Sequence, residues 1–449
     1  MLNFIRSKLS KFKIGDDDET TRLLSSDQAT VVEDKYFLVY WIYFIYGIAM
    51  LLPWNVFITA SEYFAKRFAG TPYEETFQSY FSTYFTITNL VTFVLILWTR
   101  NKSVRFDVNS FVPIFVNTLT FAGLAITVET EISGIGYFWS ILMLMVLTGT
   151  TTSFFQNSVF SEASQLPPMY MQAVLSGQGI AGVVVAFSAI ASALAGSRTK
   201  EASDDISRSA FLYFLSAFVI TLLSLLGRLI VVQLPFYRHQ MKAVQTQTNV
   251  EQDEEVQSSA QESVSLFTTV KKINGFIFTV GYIFVITLML FPTITSLIKS
   301  IHRDVPDHSR FFDDDVFIAF HFLLFNVGDW VGRLMPLIKC FLIVDVKQLS
   351  LLSTLRTIFI PLFLVCNVIV SDKRYLPVLI QSDTVYMLLI WVFAVTNGWL
   401  CSLAMMAAPQ LDSIKTAKEK SAVGSILSFS LVLGLALGGS LSFLARYMV

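Results

Sequence analysis

Residues 320–336 read FHFLLFNVGDWVGRLMP. Apart from His321, Asn326, Asp329 and Arg333, every side chain in the stretch is apolar or glycine. One Asp or Arg at the centre of a membrane helix costs about 2.5–3.5 kcal/mol on insertion scales. Two such charges left apart would cost roughly 5–7 kcal/mol by simple addition. At helical spacing Asn326, Asp329 and Arg333 fall at i, i+3 and i+7, on one face, and Asp329 and Arg333 are i,i+4, close enough to pair. The stretch therefore predicts a membrane helix whose polar stripe faces other helices or a wet cavity, so the fold must supply neighbours. A structural ion pair that fixes helix packing is one reading of the stripe. A polar wall of a substrate pathway is the other, and it is the default for ionisable groups inside a membrane.

The rest of the chain supplies those neighbours. It has 449 residues, of which 54% are hydrophobic, 41 are Phe and only 14% are charged. Ordinary soluble domains carry about 25% charged residues. A water-soluble enzyme of this size could not bury that much apolar surface, and a disordered or collagen-like chain is excluded on the same grounds. Apolar runs long enough to cross about 30 Å of hydrocarbon fall near 36–60, 79–99, 109–128, 135–160, 170–195, 209–233, 272–298, 314–337, 348–370, 384–408 and 421–445. None shows the alternation of a membrane barrel. An all-α polytopic membrane protein with 11 transmembrane helices is expected, because helices satisfy their own backbone in lipid.

Lys and Arg orient the crossings. With the N-terminus cytosolic, 18 of the 32 basic residues fall in cytosolic segments and 11 in opposite ones, the other three lying inside apolar runs. This favours a cytosolic N-terminus and a C-terminus outside. Residues 1–35 are polar, mixed in charge and without the apolar core of a signal peptide. Residues 234–270 include the polar stretch TQTNVEQDEEVQSSAQES, which is too polar to order itself. The expected organisation is a cytosolic tail (1–35), an N-terminal bundle of six helices (36–233), a cytosolic linker (234–270) and a C-terminal bundle of five (271–449). No global basic field exists to suggest nucleic acid, the net charge being −1.

Other crossings carry quieter signals. Thr148, Thr152 and Gln156 recur every four residues in the fourth, and the Gln amide can donate and accept as a nucleobase edge does. Inter-helix hydrogen bonding explains that stripe equally well. Pro53-Trp54-Asn55 in the first puts a bend beside a flat ring suited to stacking or to interfacial anchoring. Small residues at spacing four (Ala173, Gly177, Ala181; Ser430, Gly434, Gly438) predict close helix approach. Arg228 and Arg356 are expected near cytosolic helix ends, free to snorkel or to bind loop carboxylates. Three cysteines at no paired spacing, four histidines of which only His321 reaches the membrane, and no HExxH or GxSxG leave no metal, no cofactor and no enzyme signature.

Two motifs are more specific. LLPWNVFITASEYF in the first crossing and FNVGDWVGR in the eighth resemble the signatures of the equilibrative nucleoside transporters. FIPLFLVCN, NGWLCSLAMMAAP and GSILSFSLVLGLALGGS agree in order in the ninth, tenth and eleventh, so the resemblance spans about residues 36 to 445. It implies a major-facilitator-like fold with 6+5 bundles and facilitative transport of purine and pyrimidine nucleosides through the lipid bilayer, without cofactor or metal. It also implies site roles. Trp54 and Ile58 would line the base-binding part, Gln156 would hydrogen-bond the nucleobase, and Asp329 and Arg333 would hold the ribose hydroxyls with Asn326 beside them. Phe291 and Phe322 would form apolar walls. Thr152 stands where a small residue is usual in the family.

Alternatives are a proton-coupled nucleoside or nucleobase carrier using Asp329, and a carrier of another small polar solute. Glu19 to Leu24 (ETTRLL) resembles an acidic dileucine signal, with Glu19, Leu23 and Leu24 as the residues a sorting adaptor would read. Plasma membrane is the first expectation for location and endosomal or lysosomal membrane the rival.

Overall fold

The computed structural model describes residues 33–101, 110–130, 132–195, 202–242, 266–306, 309–369 and 377–447. The expected tail residues Glu19, Leu23 and Leu24 and residues 243–265 of the expected linker lie outside these. Among the described residues the chain is helical, with no strand beyond one bridge pair between Ile298 and Val368. The long helices are α1 (Leu38–Thr59), α2 (Phe77–Asn101), α3 (Phe111–Glu129), α4 (Ile135–Ala163), α5 (Pro168–Ala195) and α6 (Ala202–Val231). Then follow α7 (Asn274–Leu290), α8 (Asp314–Leu334), the broken α9 (346–364), α10 (Asp383–Ala407) and α11 (Ala417–Tyr447).

Ten helices among the described residues are long and apolar enough to cross a membrane. The remaining expected crossing, the ninth, is not one continuous helix. It is built of Val346–Leu355, a 3-10 turn at Arg356–Ile358 and Phe359–Leu364. Pro361 has no N–H to give the carbonyl of Thr357 and its ring crowds that carbonyl, so regular α geometry fails there. The other boundaries have similar local causes. Pro168 opens α5 at a position where its missing N–H costs nothing. Asp314 and Asp315 sit in the first turn of α8, where the helix dipole favours negative charge. α7 stops at Leu290 because Pro292 forces Phe291 out of the helical region, to φ −110 and ψ 127.

The helices are apolar on nearly every side. Ile87, Val91 and Leu95 on α2, and Val184 and Phe187 on α5, are exposed apolar side chains suited to lipid. Close approach occurs where small residues predicted it. On α1 and α5 a Cβ added at Gly47 or Gly177 would overlap the carbonyl of Val174 or Phe44. A Cβ added at Gly434 of α11 would likewise overlap the carbonyl oxygen of Gly281 on α7.

The buried core is unevenly shared between the two ends of the bundle. At the end where α1 begins, a single apolar cluster draws on both halves of the chain, from Val39, Tyr43, Phe155 and Val174 to Phe276, Leu400, Met405 and Ile426. At the opposite end there are two separate clusters. One is drawn from Leu52 to Ala217 and is rich in Phe, and the other runs from Ile286 to Ala445. The halves are packed together at one end and carry their own cores at the other.

Candidate functional site

The charged stripe of α8 lies inside the protein. Asp329 and Arg333 are 8% and 6% exposed, and Arg333 Nε donates to Asp329 Oδ2 at 2.7 Å, one helical turn apart. The pairing that the i,i+4 spacing predicts is therefore made, and it does not face lipid. A salt bridge of this kind is kept only when the remaining donors and acceptors are also satisfied. Asp329 Oδ1 and Arg333 Nη1 are, and their partners lie on other helices. Asn397 Nδ2 on α10 donates to Asp329 Oδ1 at 2.7 Å. Arg333 Nη1 donates to the Leu175 carbonyl at 3.1 Å and to Gln178 Oε1 at 3.3 Å, both on α5. Arg333 thus joins the C-terminal half of the chain to the N-terminal half.

Asn326 shares the face but not the pair. Its Nδ2 donates to the Phe322 carbonyl of its own helix at 2.8 Å, and its Oδ1 fills the space over Gly182 of α5. Beyond it, Phe322 and Phe291 meet at 4.8 Å between ring centroids, and Phe291 stacks on Phe325 at 3.9 Å. The two residues expected to form apolar walls are brought together, with Phe291 just past the end of α7 rather than within it. His321 lies behind them, fully buried, with no hydrogen-bond partner on either ring nitrogen.

Trp54 and Ile58 belong to a different wall. The bend at Pro53 sits inside α1, and Trp54 stacks on Phe85 of α2 at 5.0 Å. With Phe57, Gln78 and Ser82 the two residues line a cavity of about 260 Å³ between α1 and α2. That volume is near the low end of small-molecule pockets, about 300–1,000 Å³. Ile58 is 51% exposed, and the cavity lies at the end where the two cores are separate. One face of the Trp54 ring is occupied by Phe85.

Gln156 is buried on α4, and its Nε2 donates to Ser428 Oγ on α11 at 3.1 Å. The hydroxyls of Thr148 and Thr152, on the same stripe, are buried without a partner. Among the described residues no hydrogen bond joins Trp54, Gln156 and Asp329 directly; they stand on three different helices.

The polar contacts across that junction have a common location. Trp330 Nε1 donates to Ser176 Oγ at 3.1 Å, and Ser161 Oγ meets Ser421 Oγ. Arg100 on α2 donates to Ser425 Oγ at 2.9 Å and to Ser421 Oγ at 2.8 Å, both on α11. With Arg333 and Gln156, these all sit in the half of the bundle where the core is shared. Sequence reasoning missed Asn397, Gln178, Ser176 and Ser428, which complete these contacts. Nothing in their local sequence marks them, because their partners are far away in the chain. The expectation for Arg228 holds in part: its Nη1 pairs with Glu162 Oε2 at 2.8 Å, and Tyr43 OH donates to the same oxygen at 3.1 Å. Among the described residues, no group of three or more His, Cys, Asp or Glu is placed to hold a metal ion.

A family model described as Nucleoside transporter matches residues 141–447. Equilibrative nucleoside transporter 1 of Homo sapiens is 29% identical over 93% of this chain and 98% of its own length. Equilibrative nucleoside transporter 2 of Homo sapiens is 30% identical over the same shares of both chains. Among solved structures, a proton:xylose symporter of the major facilitator superfamily superposes with a TM-score of 0.57 at 13% identity, covering 90% of this chain and 87% of that one. That last likeness concerns the fold.

Proposed function

The chain belongs to the equilibrative nucleoside transporter family and is a non-enzymatic, multi-pass membrane carrier of nucleosides by facilitative transport; on that premise we propose how its residues do it. The observation that carries the proposal is the Arg333 bridge, which ties the paired charges of α8 to α5 of the other half. Residues 36–233 and 271–449 act as two bundles joined by the 234–270 linker, and they rock about a midplane site. With the N-terminus cytosolic and the C-terminus outside, the shared core and its cross-bundle hydrogen bonds form a closed cytosolic end. The separate cores then flank a vestibule open to the outside.

A nucleoside is neutral, planar at one end and rich in hydroxyls at the other. Trp54 and Ile58 supply the platform for the base, and Gln156 supplies an amide for its edge once Ser428 is released. Asp329 and Arg333 take the ribose hydroxyls, with Asn326 beside them, and Phe291 and Phe322 form the apolar wall. Hydrogen bonds to charged groups are roughly twice as strong as neutral ones, so the sugar end sets affinity and the stacked base end tolerates either ring size. Both oxygens of Asp329 already accept hydrogen bonds, which supports a fixed acceptor over a proton carrier. Uptake of labelled uridine and adenosine, measured at neutral and mildly acid pH, is expected to be indifferent to pH. In Asp329→Ala or Arg333→Ala protein present at normal surface level, uptake is expected to fall at least about tenfold, as for truncation of one partner of a buried charge pair. Unchanged uptake in both variants would remove this site.

The plasma membrane is the proposed location, with an endosomal or lysosomal membrane reached through a sorting adaptor at Glu19, Leu23 and Leu24 as the rival. Imaging a Leu23→Ala/Leu24→Ala variant beside wild type separates the two. A shift of the protein to the surface would overturn the plasma-membrane assignment.

A further inference from the structure

Arg356 is not at a helix end reaching for water. It is 2% exposed, at the break of α9, with Cζ 4.6 Å from the centroid of the Phe393 ring. Among the described residues no carboxylate lies within ion-pair distance of it. Its Nη1 donates to the Phe393 carbonyl at 2.8 Å and to Thr396 Oγ1. Its Nη2 donates to Thr287 Oγ1 on α7 at 2.9 Å. From there the hydrogen bonds continue. Thr287 Oγ1 donates to Asn397 Oδ1 on α10 at 2.7 Å, and Asn397 Nδ2 donates to Asp329 Oδ1 at 2.7 Å.

This relay has a direction, fixed by a donor-only group, Arg356, at one end and an acceptor-only carboxylate, Asp329, at the other. A guanidinium has five donors and no acceptor. Thr287 must therefore accept from it, which leaves the single hydroxyl proton to point onward. The Ile283 carbonyl, also at 2.7 Å, competes for that proton. Asn397 is then held with its oxygen toward Thr287 and its nitrogen toward the carboxylate. The reversed amide would set two acceptors face to face at Asp329. A buried cation with no carboxylate partner is costly inside a membrane, so its retention calls for a role beyond packing. The charged and titratable groups around Asp329 are Arg333 on its own helix, Arg356 on α9 and Cys401 on α10.

We propose that Arg356 is a positioning residue for nucleoside binding, orienting Asp329 through Thr287 and Asn397 so that the carboxylate presents one fixed face to the sugar. The inference rests on the reading that Asp329 holds the ribose hydroxyls. Its signature is a dependence on those hydroxyls. Initial rates for uridine and for 2′,3′-dideoxyuridine are measured for wild type, Arg356→Met, Arg356→Lys, Thr287→Val and Asp329→Asn, each normalised to the amount at the surface. Arg356→Met is expected to raise KM for uridine about tenfold with Vmax little changed, the loss of one well-placed charge-assisted hydrogen bond. KM for the dideoxy compound should stay within about twofold, since the 2′- and 3′-hydroxyls that the carboxylate would read are absent. Arg356→Lys restores part of the difference, because the cation remains while the fan of donors narrows. Thr287→Val keeps the shape and Arg356 but cuts the relay, and it should reproduce the pattern even where Arg356→Met fails to reach the surface. Equal losses for both substrates, or a fall in Vmax with KM unmoved, would overturn the proposal in favour of a packing role. A uridine preference that survives Asp329→Asn would instead overturn the underlying reading of the sugar site, whatever Arg356 does.

Discussion

The two ends of the bundle are held by different chemistry. At the end where α1 begins, the halves meet through a shared apolar cluster, through hydrogen bonds from Arg333, Trp330, Gln156 and Arg100, and through tight backbone contact between α4 and α11 at Gly424. At the other end each half keeps an aromatic core to itself, with Phe57, Phe64, Phe68 and Phe138 in one and Phe317, Phe359, Phe363 and Phe393 in the other. Ring contacts buried within a half do not depend on what the other half does. Hydrogen bonds between halves exchange readily for water, each with a net worth of about 0.5–1.5 kcal/mol. A handful of them amounts to a few kcal/mol, about the scale of a two-state balance that a bound ligand can tip. In the proposed transport cycle the two aromatic cores are the bodies that move, and the junction is the part that comes apart.

A matched pair of glycine substitutions puts that contrast under the largest load. A Cβ at Gly424 would overlap the carbonyl oxygen of Phe160 and Ser164 Oγ, across the junction, whereas Gly123 on α3 faces open space at the other end. Gly424→Leu should hold the shared end apart, since a backbone carbonyl cannot swing away; overpacking of this kind costs about 1–3 kcal/mol. Uptake is expected to fall by roughly tenfold or more, and thiol labelling of a Ser421→Cys reporter to rise. Gly123→Leu should leave both close to wild type and gain helix propensity. If the two substitutions act alike, the ends are not mechanically distinct.

How much of this was legible in the chain depends on how local the signal is. The crossings were legible because about 20 apolar residues in a row have one use. The Asp329–Arg333 pair was legible because its two members are four residues apart on one helix, so neighbours in sequence are neighbours in space. The break in α9 could be read from Pro361, but the eleven-run count passed over it because the stretch stays apolar on both sides. Arg356 was misjudged for a related reason. A basic residue some ten positions into a run ordinarily reaches back to water, and only the tertiary fold shows carbonyl and hydroxyl oxygens of α7 and α10 waiting for it. Asn397, Gln178 and Ser428 were not legible at all. Each is one polar residue on a membrane helix, and what it does is decided by a partner more than 60 residues away.

The finest test of the junction separates its two uses of one side chain. Gln156 donates to Ser428 across the halves in the closed arrangement, and the same amide is proposed to meet the nucleobase. Ser428→Ala removes the latch partner and nothing else that touches substrate, and Ser428 is fully buried, so little space is left for water to replace the hydroxyl. The loss of one neutral hydrogen bond, about 0.5–1.5 kcal/mol, should change uptake by about two- to tenfold and to the same degree for uridine and adenosine. Gln156→Leu loses the latch and the base contact together. It should raise KM beyond what Ser428→Ala does, and unequally for the two bases, because their edges offer different donors and acceptors. Equal kinetics for Gln156→Leu and Ser428→Ala would assign Gln156 to the latch alone and leave base recognition to the Trp54 platform.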